Sequence, residues 1–379
     1  MMSRTKAQGS VVSSLFPTCH HTTLPTALSV ASSILNSRTV YRRTPNSRTL
    51  SPSSESLPNP LPPTSILIEV HAVSLNHRDS NILNGTNPWP VLNNGIPCSD
   101  APSTFIALGS HATRFELGAR VSPILDQDAI TGDEQTRRWL GGEVDGVLAS
   151  HVVMDEQVCV RIPGHLDWTE AACLPNAGLT AWSSLINAQG ELPAGRTALL
   201  QGTGGVSMMA LKLAIAAGWK VIMTSSSDSK LADVQAVGPE GPVQGINHRS
   251  EPAWEEKVLK LTDGRGVDLV VENGGMKSLV QSLKVVRKGG TISQVGYLGK
   301  QDMAALAGLV SLMIDKTVTS RGINVGSRRE FERMNRFIEM TGLRFDDVIG
   351  RVYGIDHIQE ALEGLQAGST IGKIVLALK

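Results

Sequence analysis

Residues Thr197-Ala-Leu-Leu-Gln-Gly-Thr-Gly-Gly-Val-Ser207 form a short apolar run that leads into a glycine-rich turn. The following stretch, Met208 to Ala217, predicts a helix that ends at Gly218. A strand, a glycine turn and a helix in this order begin a dinucleotide-binding fold, because the unpaired amides at the helix start attract a pyrophosphate. The residues expected to hold this cofactor are Gly202, Thr203, Gly204, Gly205 and Val206.

Further units of the same kind follow the turn. Ser207 replaces the third glycine of the fingerprint, so the turn alone is a weak signal. The predicted strands are 220–224, 267–271 and 291–295, and the predicted helices are 229–237, 254–261 and 277–286, closed by Gly238, Gly264 and Gly289. This repetition predicts an α/β fold with a doubly wound parallel sheet of the Rossmann type.

The segment after the second predicted strand bears on the choice of nucleotide. It reads Thr224-Ser-Ser-Ser-Asp-Ser-Lys230, and small or basic residues at this place admit a 2′-phosphate. Ser225, Ser226 and Lys230 therefore favour NADPH, whereas Asp228 leaves NADH open. The alternative is structural: the serines cap the next helix and Lys230 is solvated.

Composition is typical of a globular protein with two domains and a tail. The chain has 379 residues, a formal net charge of +0, and 41% hydrophobic and 18% charged residues. No basic patch interleaves with aromatics, so nucleic acid is not expected as a partner. The apolar run 304–314 is shorter than the roughly 18–20 residues of a membrane span. Four cysteines without a C-x-x-C pair favour a reducing, cytoplasmic location.

The amino-terminal segment has a composition of its own. Residues 1–54 contain no Asp or Glu and are rich in Ser, Thr, Pro and Arg, so residues 1–60 are expected to be a disordered or targeting tail. Arg- and Ser-rich, acid-poor segments are typical of transit peptides, which leaves a mitochondrial location open. A mistranslated exon is a further alternative.

Ordered structure is expected from Leu61 onward. Residues 66–73 alternate apolar and polar side chains as a half-buried strand does, and strand signals continue through 105–108 and 119–123. This pattern predicts a small β-rich domain that ends near residue 160. Helices and strands then alternate from Thr169 onward.

Five stretches, taken with this domain order, resemble the medium-chain dehydrogenase/reductase superfamily. The resemblance is to its zinc-independent quinone oxidoreductase-like and zinc-type alcohol dehydrogenase-like branch. The stretches are Val73-Ser-Leu-Asn-His-Arg-Asp79, 171–182, 200–206, 262–268 and 372–375. The resemblance implies a GroES-like catalytic domain at 61–178, a Rossmann domain at 179–320, and a return of 321–379 to the catalytic domain.

The resemblance also bears on zinc. Zinc-dependent members hold a catalytic zinc with Cys, His and Cys, and the matching positions here are Asp79, Ser99 and Asn176. Neutral Ser and Asn side chains are poor zinc ligands, so no zinc is expected. Without a metal, hydrogen-bond donors must stabilise the charge that develops on the substrate, which suits an α,β-unsaturated carbonyl, a quinone or a related small molecule.

The implied activity is therefore hydride transfer from NADPH to such a small molecule. Two alternatives stay open: alcohol oxidation by the reverse chemistry, and a nucleotide-binding homologue without turnover. Homodimers are common in the superfamily, which makes a homodimer an open expectation.

Individual residues receive roles from the same resemblance. Asn76 would lie near the nicotinamide or the substrate. His77 would donate a proton or be structural, and Asp79 would act in the reaction or anchor its loop. Further cofactor contacts are expected from later segments, where simple turn chemistry is the alternative for the first two residues: Asn273, Gly296, Thr180, Val325 and Ser327.

Two departures from the family pattern concern the catalytic domain. Relatives have two strands before residue 66, where this chain has its Ser- and Arg-rich tail, so the domain is expected to be incomplete. After Asp100 the family's Gly-small-Gly is replaced by Ala101-Pro-Ser-Thr104. Because proline lacks a backbone donor, the next strand is expected to start late or to lie at a sheet edge.

Overall fold

The structure is a computed structural model that describes residues 35–44, 49–237, 241–299, 301–368 and 370–379. Residues 36–379 group into one unit. Residues 1–34 of the expected tail and the expected helix stop at Gly238 lie outside the described residues. Among the described helices, none is both long enough and apolar enough to cross a membrane.

An antiparallel hairpin occupies part of the segment that the sequence assigned to a tail. Its strands are β1 (Ser37–Arg43) and β2 (Leu50–Ser56), and Val40 is fully buried. The expectation of a tail over residues 1–60 is therefore wrong for these strands. The expectation that the catalytic domain lacks its first two strands is wrong for the same reason.

Partners within the hairpin and in distant segments of the chain hold it in place. The Arg42 guanidinium forms ion pairs with Glu55 and Asp145, and the Tyr41 amide donates to the Leu148 carbonyl at 3.0 Å. The hairpin has little apolar surface of its own, so a local pattern does not predict it. Its order depends on partners in distant segments, such as Asp145, which lies 103 positions after Arg42 in the chain.

The next six strands of the chain are β3 (Ser65–Val70), β4 (Ala72–Leu75), β5 (Ser103–Leu108), β6 (Arg120–Pro123), β7 (His151–Asp155) and β8 (Cys159–Arg161). Five of them form an antiparallel sheet in the order β7-β3-β5-β6-β8. The single strand expected over 66–73 is two strands in different sheets. Strand β5 begins directly after Pro102 and lies inside its sheet, so the expectation of a late start or an edge position is wrong. Pro102 precedes the strand, where its missing amide is not needed.

Short helices connect the β-rich domain to the rest of the chain. They are α1 (His77–Leu83), α2 (Trp168–Ala172) and α3 (Leu179–Leu185), with a π-helical turn at Leu174–Gly178. Single 3₁₀ turns occur elsewhere at Glu156–Val158, Met303–Leu306, Asp346–Val348 and Ile355–His357.

A six-stranded parallel sheet confirms the predicted Rossmann fold. Its strands are β9 (Thr197–Gln201), β10 (Lys220–Ser225), β11 (Val243–Asn247), β12 (Val267–Glu272), β13 (Val286–Gln294) and β14 (Thr319–Gly322). The helices are α4 (Gly205–Ala216), α5 (Asp228–Gln235), α6 (Trp254–Leu261), α7 (Met276–Val285) and α8 (Leu309–Asp315). The strand order β11-β10-β9-β12-β13-β14 reverses between β9 and β12. The glycine turn after β9 thus lies at the switch point where such sheets bind ligands.

The chain then returns to the β-rich domain through α9 (Arg328–Thr341), β15 (Ile349–Gly354), α10 (Ile358–Ala367) and β16 (Lys373–Ala377). Strand β16 pairs antiparallel with β4 and parallel with β15, which gives a three-stranded sheet. Gly372, just before β16, donates its amide to the Thr203 carbonyl in the glycine turn at 2.8 Å. The carboxyl-terminal segment therefore touches both domains next to the turn.

Candidate active site

The glycine turn leaves space in front of the first turn of α4. Gly202 has φ +78°, a left-handed conformation that favours glycine. Gly204 precedes α4, and a Cβ added at Gly204 would meet no heavy atom within 4 Å. Open space before unpaired helix amides is what a pyrophosphate requires, so the turn fits the dinucleotide that its sequence predicts.

Ser207 stands where the dinucleotide-binding fingerprint has its third glycine, and its side chain forms two hydrogen bonds. Its Oγ donates to the Gln201 carbonyl at 2.7 Å and accepts from Asn273 Nδ2 at 3.1 Å. Asn273 Nδ2 also donates to the Gln201 carbonyl at 2.9 Å. These bonds join the start of α4 to the ends of β9 and β12, so the Asn273 amide group is already engaged by the protein.

A cavity of about 370 Å³ opens in front of the turn, and we call it the cofactor cavity. It is lined by most of the predicted cofactor residues: Gly202, Thr203, Gly204, Gly205, Val206, Ser225, Ser226, Lys230 and Asn273. Asn76 and His77 from the β-rich domain line it too, as does Lys373 from β16. The cofactor cavity therefore lies where the two domains meet.

The end of this cavity near β10 is basic. Lys230 Nζ donates to the Gly368 carbonyl at 2.9 Å, which holds the ammonium group at the cavity. Ser227, rather than Ser225 or Ser226, is the residue that caps α5. Asp228 accepts from Asn247 Nδ2 at 2.9 Å and is not among the residues that line the cavity. The carboxylate that would favour NADH thus points elsewhere.

Asn76 is the centre of a buried polar network. Its Oδ1 accepts from Lys373 Nζ at 2.5 Å, and its Nδ2 donates to Asp100 Oδ2 at 3.0 Å. Asp100 Oδ1 accepts from Ser99 Oγ at 2.6 Å, and burial raises the pKa of Asp100 despite the nearby Lys373 charge. These partners fix the orientation of the Asn76 amide at the cavity wall.

Asp79 and His77 have different positions although both begin helix α1. Asp79 is 2% exposed, its Oδ2 accepts from the Asn76 amide at 2.8 Å, and it is not among the residues that line the cavity. The structure therefore supports the anchoring alternative for Asp79 and not contact with a substrate. His77 lines the cavity, and desolvation lowers its pKa below the usual 6.5, so its ring is neutral near pH 7.

A larger cavity of about 800 Å³ adjoins the first, with Val206 lining both. The predicted cofactor residues Thr180, Gly296 and Val325 line this second cavity. We call it the arginine cavity because Arg78 and Arg137 line it. Large aromatic side chains line it as well: Trp89, Trp139 and Tyr297. The predicted residues are thus divided between two neighbouring spaces.

The segment after β14 contributes backbone and a helix cap. Val325 has φ +56°, a rare conformation for a β-branched residue, where the chain bends around the arginine cavity. Ser327 Oγ accepts from the Glu330 amide at 3.3 Å and caps α9. Ser327 is not among the residues that line either cavity, so a capping role replaces the predicted cofactor contact.

The three positions matched to zinc ligands do not fit a zinc ion. Asp79 is a helix anchor, Ser99 donates to Asp100, and Asn176 is a neutral amide in the wall of the arginine cavity. Within the described part of the chain, no group of three or more His, Cys, Asp or Glu side chains could hold a metal. The donor chemistry therefore disagrees with a catalytic zinc.

Two functional candidates were missed in the sequence. Lys373 is 3% exposed at the start of the apolar strand Lys-Ile-Val-Leu-Ala, and such a buried lysine is itself a signal of a specific partner. Arg137 comes from a loop without a regular pattern, and nothing local marks it as part of a cavity wall.

Comparisons with known proteins agree with this architecture. Residues 62–164 match the family model of the alcohol dehydrogenase GroES-like domain, and residues 205–340 match that of the zinc-binding dehydrogenase. A zinc-type alcohol dehydrogenase-like protein of Schizosaccharomyces pombe is 34% identical over 334 residues, which cover 87% of this chain and 95% of that protein. The quinone oxidoreductase of Pongo abelii is 26% identical over 82% of this chain and 88% of its own length.

A solved structure is similar over nearly the same range. The crystal structure of a Sinorhizobium meliloti 1021 protein described as an alcohol dehydrogenase superposes with a TM-score of 0.81 at 34% identity, covering 90% of this chain and 99% of that one. A Rossmann domain facing a GroES-like domain defines an NAD(P)-dependent oxidoreductase. The chain belongs to the medium-chain dehydrogenase/reductase superfamily.

Proposed function

We propose that this protein is an NADPH-dependent, zinc-independent reductase of α,β-unsaturated carbonyl compounds or quinones. The observation that carries the proposal is the site around Asn76, whose amide is held by Lys373 and Asp100 in the wall of the cofactor cavity. A carbonyl conjugated to a double bond needs less polarisation than an isolated ketone, because its negative charge is delocalised as an enolate.

NADPH is the proposed cofactor because the cavity end near β10 offers a cation and hydroxyl groups. Lys230, Ser225 and Ser226 line that end, while the Asp228 carboxylate is directed to Asn247. A phosphate there would receive charge-assisted hydrogen bonds, which are stronger than bonds between neutral groups.

The proposed reaction is balanced by one hydride and one proton. A dihydronicotinamide nucleotide held by the glycine turn would supply a hydride, with its two electrons, for the β-carbon of the substrate and would be left as the oxidised nucleotide. The α-carbon then takes a proton from solvent, so the C=C bond becomes C–C and the carbonyl is regenerated. For a quinone, both oxygens end as hydroxyl groups after the same two-electron change.

The protein's part is binding, orientation and exclusion of water. The glycine turn and α4 amides bind the anion of the cofactor, and Val206 lines both the cofactor cavity and the arginine cavity, where Thr180 and Gly296 also lie. The Asn76 network holds polar groups in fixed positions at the domain boundary, so they need no reorganisation when substrate charge develops.

The direct test combines nucleotide binding with turnover. Purified protein is titrated with NADPH and NADH by cofactor fluorescence, and NADPH oxidation is then followed with a panel of enones and quinones. We expect tighter binding of NADPH and reduction of at least one acceptor, with no stoichiometric zinc by metal analysis and full activity after EDTA treatment.

The alternatives predict other outcomes in the same assay. Binding of NADPH without oxidation by any acceptor would support a non-catalytic nucleotide-binding homologue. Reduction of NADP⁺ by an alcohol panel, with inactive enones, would support an alcohol dehydrogenase. Loss of activity with EDTA and its recovery with zinc would overturn zinc independence.

A further inference from the structure

The arginine cavity combines an apolar shape with positive charge. Of the described residues that line it, only Arg78 and Arg137 carry a charge, and none is acidic. The remaining lining is largely aromatic, aliphatic or glycine. A ligand that enters this space therefore meets cations without nearby competing carboxylates on the wall.

Each arginine is anchored by one part of its guanidinium. Arg137 Nε donates to Glu143 Oε1 at 3.1 Å, and Arg78 Nη1 donates to the Leu140 carbonyl at 2.8 Å. Within the described residues, the other guanidinium nitrogens of both side chains have no hydrogen-bond acceptor. These groups are positioned by the protein and keep donors for a ligand.

Two carboxylates lie close to the arginines but outside the cavity wall. Glu143 Oε2 accepts from the Trp139 amide at 3.0 Å, and Asp79 Oδ1 lies 3.8 Å from Arg78 Nη1. Both are absent from the described lining. Each arginine is thus paired with one carboxylate that does not line the cavity, and its remaining guanidinium donors stay available to a ligand.

The indole of Trp139 forms a rigid aromatic surface between the two cations. The guanidinium carbon of Arg137 lies 4.3 Å from its ring centroid and that of Arg78 lies 6.0 Å away. Trp139 Nε1 donates to Asp126 Oδ2 at 3.2 Å, and Trp89 packs edge-on at 5.0 Å between centroids. Trp139 is buried by these contacts, whereas Trp89 and Tyr297 in the same cavity are exposed, so a planar ligand can pack against them with its charged end on the arginines.

We propose that the arginine cavity selects a planar, apolar substrate that carries a carboxylate. Val206 lines both this cavity and the cofactor cavity, so a ligand with its anion on Arg78 and Arg137 can extend toward the cofactor. That this ligand is the reduced substrate rests on the proposed function. The charge preference itself does not depend on turnover.

The test uses an isosteric pair that cannot be reduced by hydride. Isothermal titration calorimetry compares 2-naphthoate with 2-naphthamide on the NADPH-loaded protein. We expect the carboxylate to bind about tenfold more tightly, as a charge-assisted hydrogen bond to a guanidinium provides. We expect the preference to fall to about twofold or less in Arg137→Gln. The matched control is Arg336→Gln, which removes the same charge from an exposed position on α9 and should keep the preference.

A kinetic experiment tests whether the ligand of the arginine cavity is the substrate that is reduced. The substrates 4-(4-carboxyphenyl)but-3-en-2-one and its carboxamide differ in charge far from the reacting bond, so Arg137→Gln should raise KM for the acid alone and leave kcat similar. Equal affinity for naphthoate and naphthamide in the unmodified protein, or no binding of either, overturns the inference whatever the variants do. A carboxylate preference without reduction of any enone would retain the anion site and reject the proposed reductase.

Discussion

The two neighbouring cavities are built from different parts of the chain. The cofactor cavity is formed largely by backbone, glycine and short polar side chains at the ends of parallel strands, with its main residues within 202–230. The arginine cavity is formed by side chains from helices and loops far apart in sequence, from Arg78 to Val325. The first depends on a glycine turn that is general to dinucleotide-binding folds, whereas the second depends on side chains brought together from separate segments. The cofactor cavity therefore depends on a local motif, and the arginine cavity depends on tertiary structure.

The largest expected effect comes from a substitution in the cofactor cavity. Gly204→Asp should weaken binding of both nucleotides by about a hundredfold or more, because it places a carboxylate where the pyrophosphate is expected. A Cβ at Gly204 meets no atom within 4 Å, so the fold should tolerate the change. Fluorescence titration measures the affinity, and thermal unfolding checks the fold. The matched control Gly204→Asn should lose much less affinity, and an equal loss would indicate a steric cause.

The second prediction concerns the preference of the same cavity for NADPH over NADH. Lys230→Met should weaken NADPH binding by about tenfold and leave NADH binding unchanged, because the lost ammonium group serves the 2′-phosphate alone. The ratio of the two dissociation constants is the measurement. Lys220→Met, an exposed change at the start of β10, is the control and should leave the ratio as it is. An unchanged ratio in Lys230→Met would contradict the phosphate assignment.

The third prediction concerns stability behind the arginine cavity. Burial raises the pKa of Asp79 above its usual 3.8, so the native state holds this proton more tightly than the unfolded state does. Between the pKa of Asp79 in the unfolded chain and its higher pKa in the native protein, the unmodified protein loses stability as pH rises, because a buried carboxyl group must ionise. The side chain that replaces it in the variant Asp79→Asn does not ionise, so the variant does not lose this stability. The variant should therefore gain in free energy of unfolding relative to the parent as pH rises above about 4, and then level off.

Chemical denaturation across a pH series measures this difference. Asp133→Asn, at an exposed position, is the control and should show little pH-dependent difference. A variant that loses stability relative to the parent as pH rises would show that the Asp79 charge is stabilised by Arg78 more than burial penalises it.

The smallest expected effect concerns His77. Because desolvation lowers the pKa of His77 below 6.5, the ring is neutral at pH 7, and the proposed proton comes from solvent. His77→Gln should therefore change kcat for an enone by about threefold or less, below the usual contribution of general acid catalysis. The kcat of the unmodified enzyme should be level from about pH 7 to 8. A fall of a hundredfold in the variant would instead make His77 the proton donor.

The Rossmann fold and most of the cofactor cavity were predictable because their signals are local. Gly202, Ser225 and Lys230 lie within the short segment from β9 to α5, where the hydrophobic pattern predicts which strand ends face the ligand. For Asp79 the structure fits the anchoring alternative, and Ser327 caps α9. Residues near a helix start can cap the helix or face a ligand, and the local pattern is the same for both.

The hairpin of β1 and β2 and the substrate side were not predictable in this way. Arg42 is held by Asp145, and Lys373 meets Asn76 across 297 positions in the chain. Such pairs follow from how the domains fold against each other, and no period or spacing in the sequence encodes them.

The sequence by itself determined the cofactor domain, its glycine turn and the polar residues after β10, because strand and helix periods and turn residues act over short distances. The tertiary structure alone decided that the amino-terminal strands complete the β-rich domain, that Lys373 and Asp100 orient Asn76, and that two arginines face one cavity. The physical reason is that burial and hydrogen bonding at the domain boundary join groups from distant segments, and their effect exists only once the chain is folded.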